Sequence, residues 1–106
     1  MRRLLIGAVI VAAALASASA YAVDPAAGQK QFEATCAACH GSNGISVAPI
    51  YPDLAGQKDQ YLVSQLKAFR DGSRKNAIME PMAKHLTDAQ IVDLAAFLSA
   101  LHPSGH

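Results

Sequence analysis

The sequence predicts a small all-α domain of three main helices joined by loops. Apolar residues recur at helical spacing in two segments, and capping residues stand where the helical segments begin and end. No stretch alternates apolar and polar as a half-buried strand would. A run punctuated by Gly41, Gly44, Pro49, Pro52 and Gly56 is too broken for any regular element and reads as a long loop.

At 106 residues the chain has room for one domain. Its start has a different character from the rest. Arg2 and Arg3 precede an apolar run from Leu4 to about Leu15, and both Ala18-Ser19-Ala20 and Ala20-Tyr21-Ala22 suit a signal peptidase. Residues 1–22 therefore read as a secretory signal peptide cut after Ala22, leaving a domain over residues 23–106 in the periplasm. The other reading is an uncleaved anchor, but the apolar run is short against the roughly 20 residues of a membrane span. Without the leader, nine Lys/Arg fall to seven against eight Asp/Glu, a formal charge of about −1. That balance gives no reason to expect a nucleic-acid partner. The remaining domain is small for a self-sufficient core and would gain from a staple or a cofactor.

Taken in order, the first helix starts at Asp24-Pro25. Asp accepts from orphan N–H groups as N-cap, and proline suits the first helical position. It runs through AAGQKQFEAT toward Cys36. The second covers KDQYLVSQLKAFRD: Leu62, Leu66 and Phe69 share a face with Tyr61 alongside, and Gly72 stands where a C-cap would. The third opens on a capping box, Thr87 with Gln90, buries Ile91, Leu94, Ala95, Leu98 and Leu101, and stops before Pro103. NAIMEPMAKHL, between the second and third helices, reads as a helix-poor loop.

The chemistry centres on CAACH, Cys36 to His40. A zinc site wants four ligands, whereas Cys36, Cys39 and His40 supply three, with the last two adjacent. A thioredoxin-like motif wants a βαβ setting, which is missing here. A disulfide suits an oxidising compartment but leaves His40 unexplained. Attachment of haem c uses every part: each thiol adds to a vinyl group, and the histidine is held beneath the iron. A covalently tethered apolar macrocycle also supplies the centre that so short a domain lacks. If the iron is to carry electrons it needs a second axial ligand, and Met79 or Met82 is placed to be that ligand. Both follow His40 by enough chain to pass around the cofactor's edge. Packing gives little reason for thioethers in so polar a stretch.

From Gly28 to Leu101 the chain resembles the class I cytochromes c, nearest to the bacterial monohaem c553-type proteins and to one half of the dihaem cytochromes c4. The resemblance rests on CAACHG, on PDLAGQ at 52–57, on YLVSQLKAFRDGSR and on MEPMAKHLTDAQIVDLAAFL. It implies a cytochrome c fold wrapped around one haem, with Cys36 and Cys39 as attachment points and His40 and Met79 as iron ligands. Met79 is singled out because it stands seven residues before Leu86, the leucine preceding the last helix's cap. The resemblance also implies that the Pro52 carbonyl accepts the His40 Nδ1–H. It further implies that Gly28 and Phe32 cross Leu94 and Phe97. His85, His102 and His106 are expected to face solvent.

The function implied is one-electron carriage in a respiratory or photosynthetic chain, not enzymatic turnover. The donor would be a bc1-type complex or a dehydrogenase, and the acceptor a terminal oxidase or reductase. A monomer or a weak homodimer is expected. Two alternatives stand beside this reading: a haem-bearing subunit of a larger dehydrogenase complex, and a sensor or peroxidase with a labile sixth ligand. Five of the seven positive charges left after cleavage, Lys67, Arg70, Arg74, Lys75 and Lys84, crowd the Met79 region. They form either a solvated face or a docking surface for an acidic partner.

Overall fold

A computed structural model describes residues 2–10 and 22–105. Residues 2–10 are exposed and without regular structure, and Met1, residues 11–21 of the expected leader and His106 lie outside the described residues. No described residue belongs to a strand, and no described helix is long and apolar enough to cross a membrane. The elements are α1 (Pro25–Thr35), α2 (Ala37–His40), α3 (Asp59–Asp71), α4 (Met79–Ala83) and α5 (Asp88–Ser99).

The three main helices start and stop where their capping chemistry dictates. The Asp24 carboxylate accepts from the amides of Ala26 and Ala27 at 3.0 and 3.1 Å, and Pro25 follows at the first helical position. Gly72 ends α3 in the left-handed region at φ 77°, a conformation that costs glycine little. At α5 both halves of the capping box form: Gln90 N–H donates to Thr87 Oγ1 at 3.1 Å, and Thr87 N–H donates to Gln90 Oε1 at 3.0 Å.

The core lies where α1 and α3 pack on α5. Phe32, Leu62, Leu94, Ala95, Phe97 and Leu98 form one buried cluster, with Leu66, Leu86 and Leu101 against its edge. Phe32 is fully buried, its ring 5.6 Å from that of Phe97 and tilted by 49°. The α1–α5 crossing is close because Gly28 has no side chain: a Cβ there would overlap the Asp93 carbonyl and stand 2.9 Å from Leu94 N. The Asp93 carboxylate, itself buried, accepts from the Asp24 amide at 2.8 Å and ties the start of α1 to α5. The long loop docks by its backbone, with Gly44 O accepting from Leu54 and Ala55 and Gly56 N–H donating to Leu98 O at 3.0 Å.

Two short helices depart from the sequence reading. Cys36 closes α1 by donating to Phe32 O at 2.8 Å, and its own carbonyl then accepts from His40 N at 3.0 Å, so CAACH forms a helical turn. Gly41 stops it at φ 78°, where a Cβ would strike the Ile45 carbonyl. The Met79 stretch, expected to be helix-poor, carries α4. Asn76 starts it: its Oδ1 accepts from Ile78 and Met79 N–H at 2.9 Å each. Glu80 reaches back to Asn76 N at 3.0 Å. A reciprocal cap of this kind nucleates a helical turn.

Candidate haem-binding site

One cleft gathers the residues that carry the chemistry. It consists of two adjoining hollows, of about 210 and 380 Å³, and His40, Pro52 and Met79 line both. Cys36 and Cys39 line the smaller, together with Ile50, Ile78 and Met82. Leu62, Leu66, Phe69 and Leu98 floor the larger, so the core's apolar surface continues into the cleft.

Each site residue is positioned by local structure. Cys36 is the hinge between α1 and α2, and Cys39 and His40 sit on the turn that follows. His40 is buried, 7% exposed, and its Nδ1 lies 2.9 Å from the Pro52 carbonyl oxygen. A carbonyl only accepts, so Nδ1 carries the proton and Nε2 keeps its lone pair for a metal. The Tyr51 ring lies near the imidazole, 6.4 Å between ring centroids and tilted by 59°. Burial pushes the Cys36 thiol up, partly offset by its hydrogen bond with the Thr35 hydroxyl. The Tyr51 hydroxyl is raised by a hydrogen bond to the Cys39 thiol and by that thiol's proximity. The two cysteines are not joined to each other by a disulfide.

The two methionines differ. Met79 lines both hollows and is partly buried; Met82 lines one and is 53% exposed. His85 and His102 are exposed and line neither hollow. Of the clustered cations, Arg70 donates to Asp88 Oδ1 at 2.7 Å and to the Leu86 carbonyl at 3.1 Å. Lys75 pairs with Glu80 at 3.6 Å. The basic run is thus partly consumed in holding α3, α4 and α5 together, which favours the solvated-face reading over a continuous docking surface.

The cleft suits a large, flat, mostly apolar group. Its volume and lining are those of a cofactor site, its thiols stand at one end, and one buried imidazole offers a single nitrogen. Among the described residues no group of three or more His, Cys, Asp or Glu could hold a bare metal ion, which sets aside the zinc reading of CAACH. Sequence reasoning did not single out Tyr51, Ile50, Asn76 or Ile78 as lining residues. Asn76 alone carried a signal, as a capping residue ahead of Glu80; the others reach the cleft through loop geometry.

Fold and site together define a small helical protein that holds haem through a C-x-x-C-H turn. The cytochrome c family matches over residues 25–102. Cytochrome c-554(548) of Halomonas halodenitrificans is 51% identical over 80 residues, 73% of this chain and 95% of that one. A thiosulfate dehydrogenase electron acceptor of Thiomonas intermedia is 44% identical over 106 residues, 99% of this chain and 46% of its own length. The crystal structure of reduced cytochrome c4 from Pseudomonas stutzeri superposes with a TM-score of 0.69 at 32% identity, over 76% of this chain and 50% of that one. The chain thus spans nearly all of the first relative and about half the length of the other two. It belongs to the cytochrome c family, as a class I, c4-like member of a family of electron carriers with covalently attached haem c.

Proposed function

We propose that this chain is an exported, periplasmic carrier of single electrons and not an enzyme, in which Cys36 and Cys39 would tether the haem and His40 and Met79 would hold its iron. The observation that carries the reading is the convergence of His40 and Met79, from two different elements, on one cleft with the imidazole tautomer already set by Pro52.

Haem c supplies an iron centre that exchanges one electron between its ferric and ferrous forms. The chain's own residues do the rest. The Pro52 carbonyl holds His40 in one tautomer and ring orientation, and a hydrogen bond of this kind raises the basicity of the nitrogen left for the metal. Met79 contributes a thioether, which favours the ferrous form relative to a second histidine. With His40 and Met79 both holding the iron, no place on it would be left for a substrate. That supports carriage over a peroxidase or sensor. Leu62, Leu66 and Phe69 keep water from the larger hollow, and the packing of α1, α3 and α5 around them resists movement of either wall.

The leader at 1–22 supports export, with the domain at 23–106 working as a monomer or weak homodimer. Two relatives are named thiosulfate dehydrogenase electron acceptor, which supports a dehydrogenase as donor. A terminal oxidase or reductase would take the electron. The test is the visible spectrum of the mature protein, oxidised and reduced, with carbon monoxide added to the reduced form. We expect a low-spin spectrum with a weak far-red iron–methionine band and no response to carbon monoxide. A high-spin spectrum, or one remade by the gas, would sink the carrier reading.

A further inference from the structure

Met79 reaches the cleft on an element that cannot hold itself. Helix α4 has five residues, well below the roughly 12–15 at which helical bonding alone offsets the cost of nucleation. Its ends must be fixed from outside. The later end is anchored by burial, with Ala83 fully buried and α4 packed against α3. The opening end has no such anchor, since residues 73–78 leading into it are all exposed. Asn76 takes that role. Three successive amides donate to it, those of Ile78 and Met79 to Oδ1 at 2.9 Å each and that of Glu80 to the backbone carbonyl at 3.0 Å. The Asn76 amide in turn donates to Glu80 Oε2 at 3.0 Å, and Glu80 Oε1 lies 3.6 Å from Lys75 Nζ. Asn76 also lines both hollows alongside Met79.

An amide in the first turn of a helix has no partner within that helix, and for Met79 the structure supplies Asn76 Oδ1. We infer that Asn76 is the positioning residue for Met79, a latch whose cap keeps the thioether in the cleft and the sixth axial place closed. This rests on the reading that His40 and Met79 hold the haem iron. With Oδ1 gone, the Ile78 and Met79 amides turn to water and the first turn frays. Met79 then leaves with the frayed turn while Ala83 stays seated. The latch is local. Thr87 caps α5 in the same reciprocal way, but its described hydrogen bonds all go to α5. The two caps therefore separate the holding of Met79 from the stability of the domain at large.

The experiment is a titration of the oxidised holoprotein with imidazole, followed by loss of the far-red iron–methionine band. Imidazole binds only where Met79 has left, so the concentration at half-loss reports how firmly the thioether is held. The parent is compared with Asn76→Ala, Asn76→Ser, Glu80→Ala and Thr87→Ala. Asn76→Ala should lower that concentration by roughly three- to thirtyfold, the range for loss of a helix cap. Asn76→Ser keeps an oxygen that accepts from first-turn amides and should stay within about threefold of the parent. Glu80→Ala removes only the return bond and should fall between Asn76→Ala and the parent. Thr87→Ala should melt earlier yet keep the parent's concentration. A parent value for Asn76→Ala, or an equal fall for Thr87→Ala, overturns the latch. If Asn76→Ala fails to hold haem, Glu80→Ala decides, and a fall no larger than that of Thr87→Ala overturns it. A parent without the band would sink Met79 as ligand and the latch with it. A parent that shows the band, with variants that match it, would sink the latch alone.

Discussion

His40 illustrates how much one hydrogen bond decides. A buried imidazole with two equivalent nitrogens could present either one; the Pro52 carbonyl at 2.9 Å removes the choice. The methionines are separated by depth rather than by chemistry. Met79→Ala should therefore give a high-spin ferrous protein that binds carbon monoxide, while Met82→Ala should keep the parent spectrum and its indifference to the gas. Absorbance before and after carbon monoxide reads both. The reverse pattern would transfer the ligand role to Met82.

Helices α1 and α5 are locked by a glycine and by caps, and each can be tested separately. Gly28→Ala forces a methyl group into the Asp93 carbonyl, and overpacking against backbone should destabilise by about 1–3 kcal/mol or more. Thr87→Ala removes half of the capping box at α5 and should cost about 1 kcal/mol. Thermal melting of the holoprotein measures both, and Gly28→Ala should show the larger fall. Acid acts on the same helix. Arg70, by hydrogen bond and charge, holds the Asp88 carboxyl below its ordinary value of 3.8. A carboxyl lowered in the folded state contributes stability that is complete above its ordinary value and is lost as pH falls through the lowered one. The parent should lose more melting temperature than Asp88→Asn between about pH 5 and pH 2. Parallel acid profiles would show that the pair carries none of this dependence.

The domain as a unit has little core of its own. Its fully buried large side chains are Phe32, Ile91 and Leu94, and an apolar cleft opens beside them. A small domain of this kind leans on what it binds. A chain with both Cys36→Ala and Cys39→Ala, unable to tether haem, should lose most of its helical circular dichroism and its cooperative melt. A cooperative melt at the parent temperature would mean that the three helices suffice alone. Charge at this level is dispersed: with Arg70 and Lys75 engaged by acidic neighbours, the basic run is not one continuous field.

Much of this was legible because it is local. Caps at Asp24, Thr87 and Gly72, the apolar stripes of α3 and α5, and the thiols and imidazole of CAACH depend on residues a few positions apart, and short-range hydrogen bonding and helical periodicity set them whatever the rest of the chain does. The α4 turn was missed because Pro81 and the polar run masked the Asn76 cap. The depth of Met79 and the recruitment of Arg70 into a helix tie could not be read from spacing. They depend on where α3, the long loop and α4 come to rest against one another, and long-range packing, not local preference, fixes those positions.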